Sequence, residues 1–255
     1  MELTYYGANS WSIGIGGQRI LVDPWLVGSL VFAGLPWLFE GKRPQALLLE
    51  DSDLILLSQG LADHAHKPTL QVLNKSTPVV GSANAARVAR ALGFESVNEL
   101  LPGEKFSLDN RVEVRALTGA PIGPTRENAY LLKDLTTGHT LYYEPHGFPP
   151  ETVKEFAPVD VAINPVVNLE LPLAGPIING RGSALKLAQW LRPQVMLPTA
   201  AGGDIHYSGA LASLLQTKGS IDELRSCLAR EKLATEVLEP EPGCPLALDL
   251  TAPAG

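Results

Sequence analysis

Glycine and proline divide this chain into short apolar runs along its whole length, and this division is the sequence feature that most constrains its fold. The 255 residues include 24 glycines and 21 prolines, with neither an internal repeat nor a low-complexity linker. Short apolar runs bounded by Gly, Asp or Asn are typical of strands. We therefore expect one continuous domain over residues 1–255, with a weakly ordered tail after about residue 240.

Strands are predicted wherever such a run is β-branched or aromatic, and the best of them are Leu3–Tyr6, Trp11–Ile15, Arg19–Val22, Leu54–Leu57, Val112–Leu117, Ala129–Leu132, Thr140–Tyr143, Val159–Ile163 and an edge strand at Leu246–Leu250. Helices are predicted where apolar residues follow a helical period, at Asn84–Leu92 before Gly93, at Ala184–Leu191 capped by Ser183, at Gly209–Thr217, and from the Ser220 capping box to about Arg230. Because strands and helices are partly segregated, mixed or antiparallel sheets with helices outside fit better than an alternating parallel sheet.

Charge and cysteine content exclude several classes of protein. The chain carries 27 acidic against 20 basic side chains, a net charge of −7, so we expect no nucleic-acid partner. The strongest apolar stretch, Trp25 to Phe39, is broken by glycine and proline and is shorter than the roughly 20 residues of a spanning helix, so no transmembrane segment is expected. With only two cysteines and no signal-like start, a reducing compartment, the cytoplasm, is the expected location.

Three loops after predicted strands carry the polar residues that indicate chemistry. They read Val22-Asp23-Pro24, Ser58-Gln59-Gly60-Leu61-Ala62-Asp63-His64 and Tyr143-Glu144-Pro145-His146-Gly147. In order and spacing they resemble the metallo-β-lactamase superfamily, in its single-domain branch of metal-dependent hydrolases related to ascorbate-phosphate lactonases. The resemblance covers nearly the whole chain. It implies an α+β fold, a four-layer αββα sandwich of two mixed β-sheets flanked by helices, with the site at one sheet edge.

The superfamily motif His-x-His-x-Asp-His is only half present in this chain. Gln59 and Leu61 stand where the first two histidines are expected, whereas Asp63 and His64 are kept. Asp23 matches a superfamily position whose carboxylate supports the metal loop through hydrogen bonds. An amide and a hydrocarbon are poor substitutes for imidazole as zinc ligands. The resemblance therefore implies no ordinary two-zinc centre, and either no metal or one divalent metal (zinc, manganese or iron) held by Asp63 and His64.

Four residues are the candidate catalytic groups, and each also has a purely structural interpretation. Asp63 and His64 are expected to hold the metal or act as base; alternatively Asp63 caps a helix that begins near His64. Glu144 and His146 are expected to complete the site from a neighbouring strand end, or else only to form a turn. His66, two residues after His64, is expected to face solvent.

Substrate contacts are predicted from one cation and an aromatic segment. Arg126 is expected at the same edge, where its planar guanidinium would grip an anionic group, unless it only pairs with Glu127 on the surface. The segment Trp25–Phe39, with Trp37 inside it, follows the Asp23 loop and is expected to wall or cover the pocket for an apolar or amphipathic ligand. A membrane-surface or partner contact is the alternative for this segment.

Two functions follow from these residues. The first is a hydrolase-like protein whose dinuclear metal site is lost or reduced to one metal and which, if active, hydrolyses an ester, lactone or phosphoester. The alternative is a non-catalytic binding protein that uses the old pocket and its aromatic cover for an apolar ligand or a partner. The expected partner is a small molecule.

Overall fold

The computed structural model of the protein describes residues 1–44, 46–47, 51–122, 125–172 and 175–252. Its strands are β1 (Glu2–Gly7), β2 (Ser10–Ile15), β3 (Gln18–Val22), β4 (Leu30–Val31), β5 (Glu40–Lys42), β6 (Leu54–Leu57), β7 (Val79–Gly81), β8 (Val97–Glu99), β9 (Lys105–Leu108), β10 (Val112–Ile122), β11 (Thr125–Asp134), β12 (Thr140–Tyr143), β13 (Val161–Asn164), β14 (Asn168–Leu171), β15 (Gly175–Asn179), β16 (Val195–Pro198), β17 (His206–Ser208), β18 (Gln216–Lys218), β19 (Glu236–Val237) and β20 (Pro245–Ala247). Its helices are α1 (Lys67–Val72), α2 (Ala83–Ala91), α3 (Gly180–Leu191), α4 (Ala210–Leu214) and α5 (Ile221–Arg230), with a 3₁₀ helix at Glu151–Phe156.

Two large mixed sheets form the centre of the fold. Among the described residues the first has the order β20-β1-β2-β3-β6-β7-β8, and the second has the order β19-β16-β13-β12-β11-β10-β9. In the first sheet the antiparallel hairpins β1–β2–β3 continue into the parallel strands β6, β7 and β8. In the second the antiparallel strands β9 to β12 continue into the parallel strands β13, β16 and β19.

Helices cover the outer face of each sheet, which gives four layers. Alternate residues of both sheets meet in one apolar core that includes Trp11, Ile13, Val114, Tyr130 and Ile163. Separate apolar clusters fix α1 and α2 to the first sheet, and α3 and α5 to the second. Burying an aromatic side chain of ~200 Å² contributes about 5 kcal/mol before entropy losses. The predicted αββα sandwich of two mixed sheets is confirmed.

Two helix predictions, those of α2 and α5, agree with the structure to within about one residue. Helix α2, Ala83–Ala91, begins and ends one residue before the predicted Asn84–Leu92. Gly93 adopts a left-handed φ of +82° just after the helix. The Ser220 hydroxyl accepts a hydrogen bond from the Glu223 N–H at 3.1 Å and so caps α5, whereas the Glu223 carboxylate accepts from Nε of Arg181 at 2.9 Å rather than closing the predicted capping box.

The predicted start of α3 and the predicted end of α4 are wrong, because contacts with distant parts of the chain set these boundaries. Helix α3 begins at Gly180 rather than after Ser183, because Asn168 on a neighbouring strand accepts a hydrogen bond from the Arg181 N–H at 2.9 Å. Ser183 lies inside the helix and donates to the Asn179 carbonyl. Helix α4 ends at Leu214 instead of Thr217, since residues 216–218 pair with β14 as a strand.

The Ser220 cap gives a prediction of modest size. Replacing Ser220 with Ala leaves the first-turn N–H of α5 without its side-chain acceptor, so we expect the free energy of unfolding to fall by about 1 kcal/mol in urea titrations. Ser226→Ala is the matched control, because the Ser226 hydroxyl only donates to the Asp222 carbonyl of its own helix. Equal losses in the two variants would rule out the capping role.

The aromatic segment after Asp23 forms a small unit of its own. Strand β5 pairs with both β4 and β17 in a three-stranded sheet, and Trp25, Leu30 and Phe39 pack in one apolar cluster beside it. None of the described helices combines the length and the apolar character needed to cross a membrane. At the other end, the predicted edge strand is β20, which pairs with β1, and residues 253–255 of the predicted tail lie outside the described residues.

Candidate metal centre

The candidate centre lies where strands of both sheets end at one edge. Asp23 follows β3 and Ser58 follows the parallel neighbour β6, so the carboxyl ends of these strands bring the two side chains together. Asp23 has φ +41°, a left-handed conformation that Asp and Asn tolerate better than most residues. From the second sheet, Glu127 on β11 and Glu144 after β12 face the same edge.

The Asp23 carboxylate is fully buried and organises the centre through four hydrogen bonds. One oxygen accepts from the Ser58 N–H at 2.7 Å. The other accepts from the Ser58 hydroxyl at 2.5 Å, from the Tyr143 hydroxyl at 2.7 Å and from Nδ1 of His64 at 2.7 Å. Asp23 therefore joins both sheets and fixes the orientation of the His64 ring.

His64 lies between two carboxylates. Its Nδ1 contacts Asp23, and its Nε2 lies 3.2 Å from Oδ2 of Asp63 and 3.3 Å from the side-chain nitrogen of Asn9. Burial lowers the pKa of the imidazole, but the charges of Asp63 and Asp23 more than compensate, and the pKa lies well above its ordinary value. Burial raises the pKa of the Asp63 carboxyl, yet the nearby imidazoles of His64 and His146 bring it below its ordinary value.

His146 repeats this arrangement from the second sheet. Its ring stacks on that of His64 with 5.0 Å between centroids and an interplanar angle of 27°. Its Nδ1 lies 2.9 and 2.8 Å from the two carboxylate oxygens of Glu127. A carboxylate that accepts from Nδ1 selects the tautomer whose Nε2 has a free lone pair, the arrangement found around zinc-binding histidines. Both imidazoles are therefore oriented as metal ligands.

Glu144 holds the loop that carries His146. Its carboxylate is fully buried and accepts hydrogen bonds from the backbone N–H groups of His146 at 3.1 Å, Gly147 at 2.6 Å and Phe148 at 3.0 Å. Burial, together with the negative charge of Glu127 and a hydrogen bond between the two carboxyl groups, raises the pKa of Glu144 well above its ordinary value. A neighbouring negative charge disfavours the charged form of a carboxyl group.

Two overlapping sets of side chains have the separations that a metal ion needs. In each set one ligand atom per residue lies within 4.8 Å of the others, and the sets are Asp63, His64, His146 and Glu127, Glu144, His146. In the second set the Glu144 oxygens are already used by backbone N–H groups. The first set offers two imidazoles and one carboxylate, a donor set used by zinc and non-haem iron.

The charges around the centre fit a cation. Asp23, Glu127 and Glu144 have no exposed surface and the Asp63 side chain is 22% exposed, while no described lysine or arginine forms an ion pair with any of the four. The described side chains that form ion-pair contacts with these four carboxyl groups are two imidazoles, those of His64 and His146. Buried charge is costly unless it is compensated. In addition, Oδ1 of Asp63 has no hydrogen-bond partner. A bound divalent cation would satisfy both observations.

The two motif positions that lack histidine differ in the structure. The Gln59 side chain is fully buried, and neither its amide oxygen nor its amide nitrogen has a hydrogen-bond partner. The Leu61 side chain is 43% exposed.

The predicted substrate contacts lie in three different surroundings. Arg126 is exposed and lines a cavity beside the His146 loop. Trp25 and Phe39 are buried in the aromatic unit, where the Trp25 indole N–H donates to the Gly28 carbonyl at 3.0 Å. Trp37, with 67% of its surface exposed, is the member of the segment that presents its ring to solvent.

His66 is not solvent-facing, so that prediction is wrong. It is 2% exposed, and its Nδ1 accepts a hydrogen bond from the Thr69 N–H at 3.4 Å as the N-cap of α1. Asp63 does not cap this helix, which begins at Lys67. The Lys-Pro pair after His66 fixes this start, because proline suits the first turn of a helix.

Glu127 is the contact that sequence reasoning missed. The sequence suggests a surface pair with Arg126, but Glu127 is fully buried and its carboxylate contacts Nδ1 of His146. Strand alternation is the signal that could have found it, since Glu127 shares a face of β11 with the buried Ala129 and Leu131. A bulky residue at Gly119 would displace it, because a Cβ there would lie 2.6 Å from Cγ of Glu127.

The Glu127–His146 contact gives a second prediction. Glu127→Gln removes the charge that orients His146, so we expect metal affinity to fall by about 10–100-fold in competition titrations with a chelating dye. Glu113→Gln is the control, because Glu113 forms an exposed ion pair with Lys105. Equal affinity of both variants would contradict the orienting role of Glu127.

Comparisons with known proteins place this chain in a family. The model of the Beta-lactamase superfamily domain matches residues 2–200. A UPF0173 metal-dependent hydrolase of Paracoccus denitrificans (strain Pd 1222) is 26% identical over 151 residues, 56% of this chain and 61% of that protein. Cytidine monophosphate-N-acetylneuraminic acid hydroxylase of Danio rerio is 34% identical over 78 residues, 31% of this chain. The matches thus span 61% and 13% of these relatives.

Among solved structures, the isothiocyanate hydrolase from Delia radicum gut bacteria superposes with a TM-score of 0.71. The superposition covers 97% of this chain and 99% of that one at 16% sequence identity. Similarity at so low an identity demonstrates a common fold and nothing about the substrate.

Proposed function

We propose that this chain, which belongs to the beta-lactamase superfamily by the match of the domain model to residues 2–200, is a hydrolase that works with a single divalent metal ion. In this proposal the dinuclear site of the superfamily is reduced to one position. Gln59 and Leu61 support the reduction, because neither side chain matches the imidazole ligands of a first metal.

Three side chains would hold the ion. Asp63, His64 and His146 supply one carboxylate and two imidazoles, each with a ligand atom within 4.8 Å of the others. Asp23 and Glu127 would orient the two imidazoles through Nδ1. The Glu144 carboxyl would act as a positioning group, since it bonds to the backbone of the His146 loop.

The observation that carries the proposal is the excess of buried carboxylates over buried cations. Asp23, Glu127 and Glu144 have no exposed surface, and the side chains that form ion-pair contacts with Asp23 and Glu127 are the imidazoles of His64 and His146. Folding would not keep such a group of acids buried at one edge without compensating charge. A metal-free binding pocket has no need of this arrangement.

The proposed reaction adds water to an ester, lactone or phosphoester. When bound, a divalent ion supplies Lewis acidity to the carbonyl or phosphoryl oxygen. Oδ1 of Asp63 has no hydrogen-bond partner, so it can accept a proton from the attacking water. That proton then passes to the leaving oxygen as its bond to carbon or phosphorus breaks. Asp63 and His146, with 22% and 11% of their side chains exposed, give the centre its access to solvent.

The direct test is hydrolysis with metal removed and restored. Nitrophenyl acetate, nitrophenyl phosphate and a simple lactone serve as probes for protein treated with chelator and then given zinc, manganese or iron. We expect turnover of at least one probe, its loss with chelator and its recovery with one of the metals. Turnover that chelator leaves unchanged would overturn the metal-dependent mechanism.

A non-catalytic binding protein is the second candidate, favoured by the exposed Trp37 ring. In that case mass spectrometry of the native protein should detect a co-purified small molecule, and Trp37→Ala should lower its occupancy. Leu101→Ala is the control, because Leu101 is also exposed, at 52%, but lies outside the aromatic unit. Unchanged occupancy in Trp37→Ala would reject the covering role of the segment.

The location of the protein stays a prediction. Cys227 and Cys244 are both free thiols, as expected of a protein in a reducing compartment such as the cytoplasm. The small-molecule partner likewise belongs to the proposal.

A further inference from the structure

A second concave surface lies beside the candidate metal centre, between the end of β10, the His146 loop and helix α3. It encloses about 520 Å³. Arg126 and Lys186 line it from opposite elements, Phe148 contributes an aromatic wall, and Gly182 and Ser183 belong to the first turns of α3. A volume of this size accommodates part of a small-molecule ligand.

The cavity is cationic in an acidic protein. The chain has 27 acidic against 20 basic side chains, yet the residues that line this cavity include two cations and no carboxylate. Within the described residues neither Arg126 nor Lys186 forms an ion pair. Lys186 instead has its amine 5.7 Å from the Trp190 ring centroid. Two uncompensated cations on one concave surface attract an anion.

The cavity shares a wall with the metal centre. Gly147, which lines it, directly follows His146, and the Asn179 N–H at its other side donates to the His146 carbonyl at 2.8 Å. Glu127 and Arg126 are adjacent on β11 and face opposite ways, so the first contacts His146 while the second is exposed in the cavity. A molecule seated in the cavity would thus lie against the loop that carries His146.

We propose that this cavity is a subsite for an oxyanion, a phosphate or carboxylate group, on the molecule that the metal centre hydrolyses. The proposal rests on the proposed function for the reaction and adds the class of substrate, an anionic ester or lactone. Arg126 supplies a planar fork of donors, and Lys186 supplies a mobile ammonium. The Phe148 ring contacts the apolar part of the same molecule.

Gly182 offers a way to close the subsite without disturbing the fold. A Cβ at Gly182 would meet no atom within 4 Å, and its backbone is helical, so larger residues fit there. Replacing glycine inside a helix also favours the helix. Gly182→Leu is therefore expected to fill the cavity and leave the protein folded.

The test is a calorimetric titration of the purified protein with inorganic phosphate and, separately, with acetate. We expect phosphate, acetate or both to bind the parent, and the stronger of the two identifies the oxyanion. Arg126→Gln and Lys186→Gln should each weaken that binding at least about tenfold, since each removes a charged hydrogen-bond donor. Gly182→Leu should abolish it. Arg87→Gln and Lys133→Gln, exposed cations elsewhere, should leave it unchanged.

A further comparison distinguishes oxyanion binding in the cavity from metal binding at the centre. Asp63→Ala is expected to lose metal and keep oxyanion binding, whereas Arg126→Gln is expected to keep metal and bind the oxyanion at least about tenfold more weakly. The subsite proposal is overturned if neither anion binds the parent. It is also overturned if Asp63→Ala abolishes anion binding while Gly182→Leu retains it. Either result would leave the proposed metal-dependent hydrolysis untouched. If no metal is bound but the subsite variants behave as expected, the cavity stands and the proposed function fails.

Discussion

Protein that carries Asp63→Ala is expected to lose its metal and at least about a thousandfold in hydrolytic rate, because a Lewis-acid ion contributes several kcal/mol to transition-state stabilisation. Asp63 is the carboxylate of the proposed ligand set, and its Oδ1 is the unpaired oxygen available to the attacking water. The measurements are the metal content of protein purified without chelator and the turnover of the best probe ester.

The control for this variant is Asp249→Ala, which removes an exposed carboxylate near the end of the described chain. We expect it to keep the parent's metal content and rate. Asp63→Ala should also stay folded, as thermal melting will report, because it removes a partly exposed side chain. Full metal content in folded Asp63→Ala would mean that the ion is held elsewhere.

Protein that carries Asp23→Asn is expected to lose about 3–5 kcal/mol of unfolding free energy, the usual result of removing one charge from a buried pair. Asn has nearly the shape of Asp and tolerates the left-handed backbone at this position, so the variant isolates the charge. In the parent, the Ser58 hydroxyl and His64 Nδ1 contact a carboxylate oxygen of Asp23. In the variant an amide nitrogen, itself a donor, can take the place of that oxygen. Urea unfolding measures the change.

Asp53→Asn is the matched control for this second variant. The exposed Asp53 carboxylate accepts a hydrogen bond from the Arg19 N–H at 2.7 Å, and we expect its replacement to cost less than about 1 kcal/mol. If Asp23→Asn and Asp53→Asn lowered the free energy of unfolding by similar amounts, the proposed role of Asp23 in linking the two sheets would be contradicted.

The fold could be predicted from the sequence because its strands are short, apolar and punctuated, and because motif spacing resembled a known superfamily. That resemblance is confirmed by the match of the family model to residues 2–200. The errors concern contacts between distant parts of the chain. Asn168 sets the start of α3, and β14 recruits residues 216–218 as a strand, neither of which local periodicity encodes.

The sequence could suggest candidate residues for the site, but not which of their side chains contact one another. Asp63, His64, Glu144 and His146 could be selected from the loops, yet their sequence gives no sign that the His64 and His146 rings stack. Glu127 was missed because a charged residue beside arginine suggests a surface pair. Only the register of β11 against β10 and β12 shows that it turns inward, next to the second imidazole.

The buried centre is predicted to hold one cation. Anomalous diffraction from crystals of protein purified without chelator tests this most directly. We predict a single peak at about 2.0–2.2 Å from the ligand atoms of Asp63, His64 and His146. Two peaks in that crevice, or one peak that Glu127 and Glu144 coordinate instead, would contradict it.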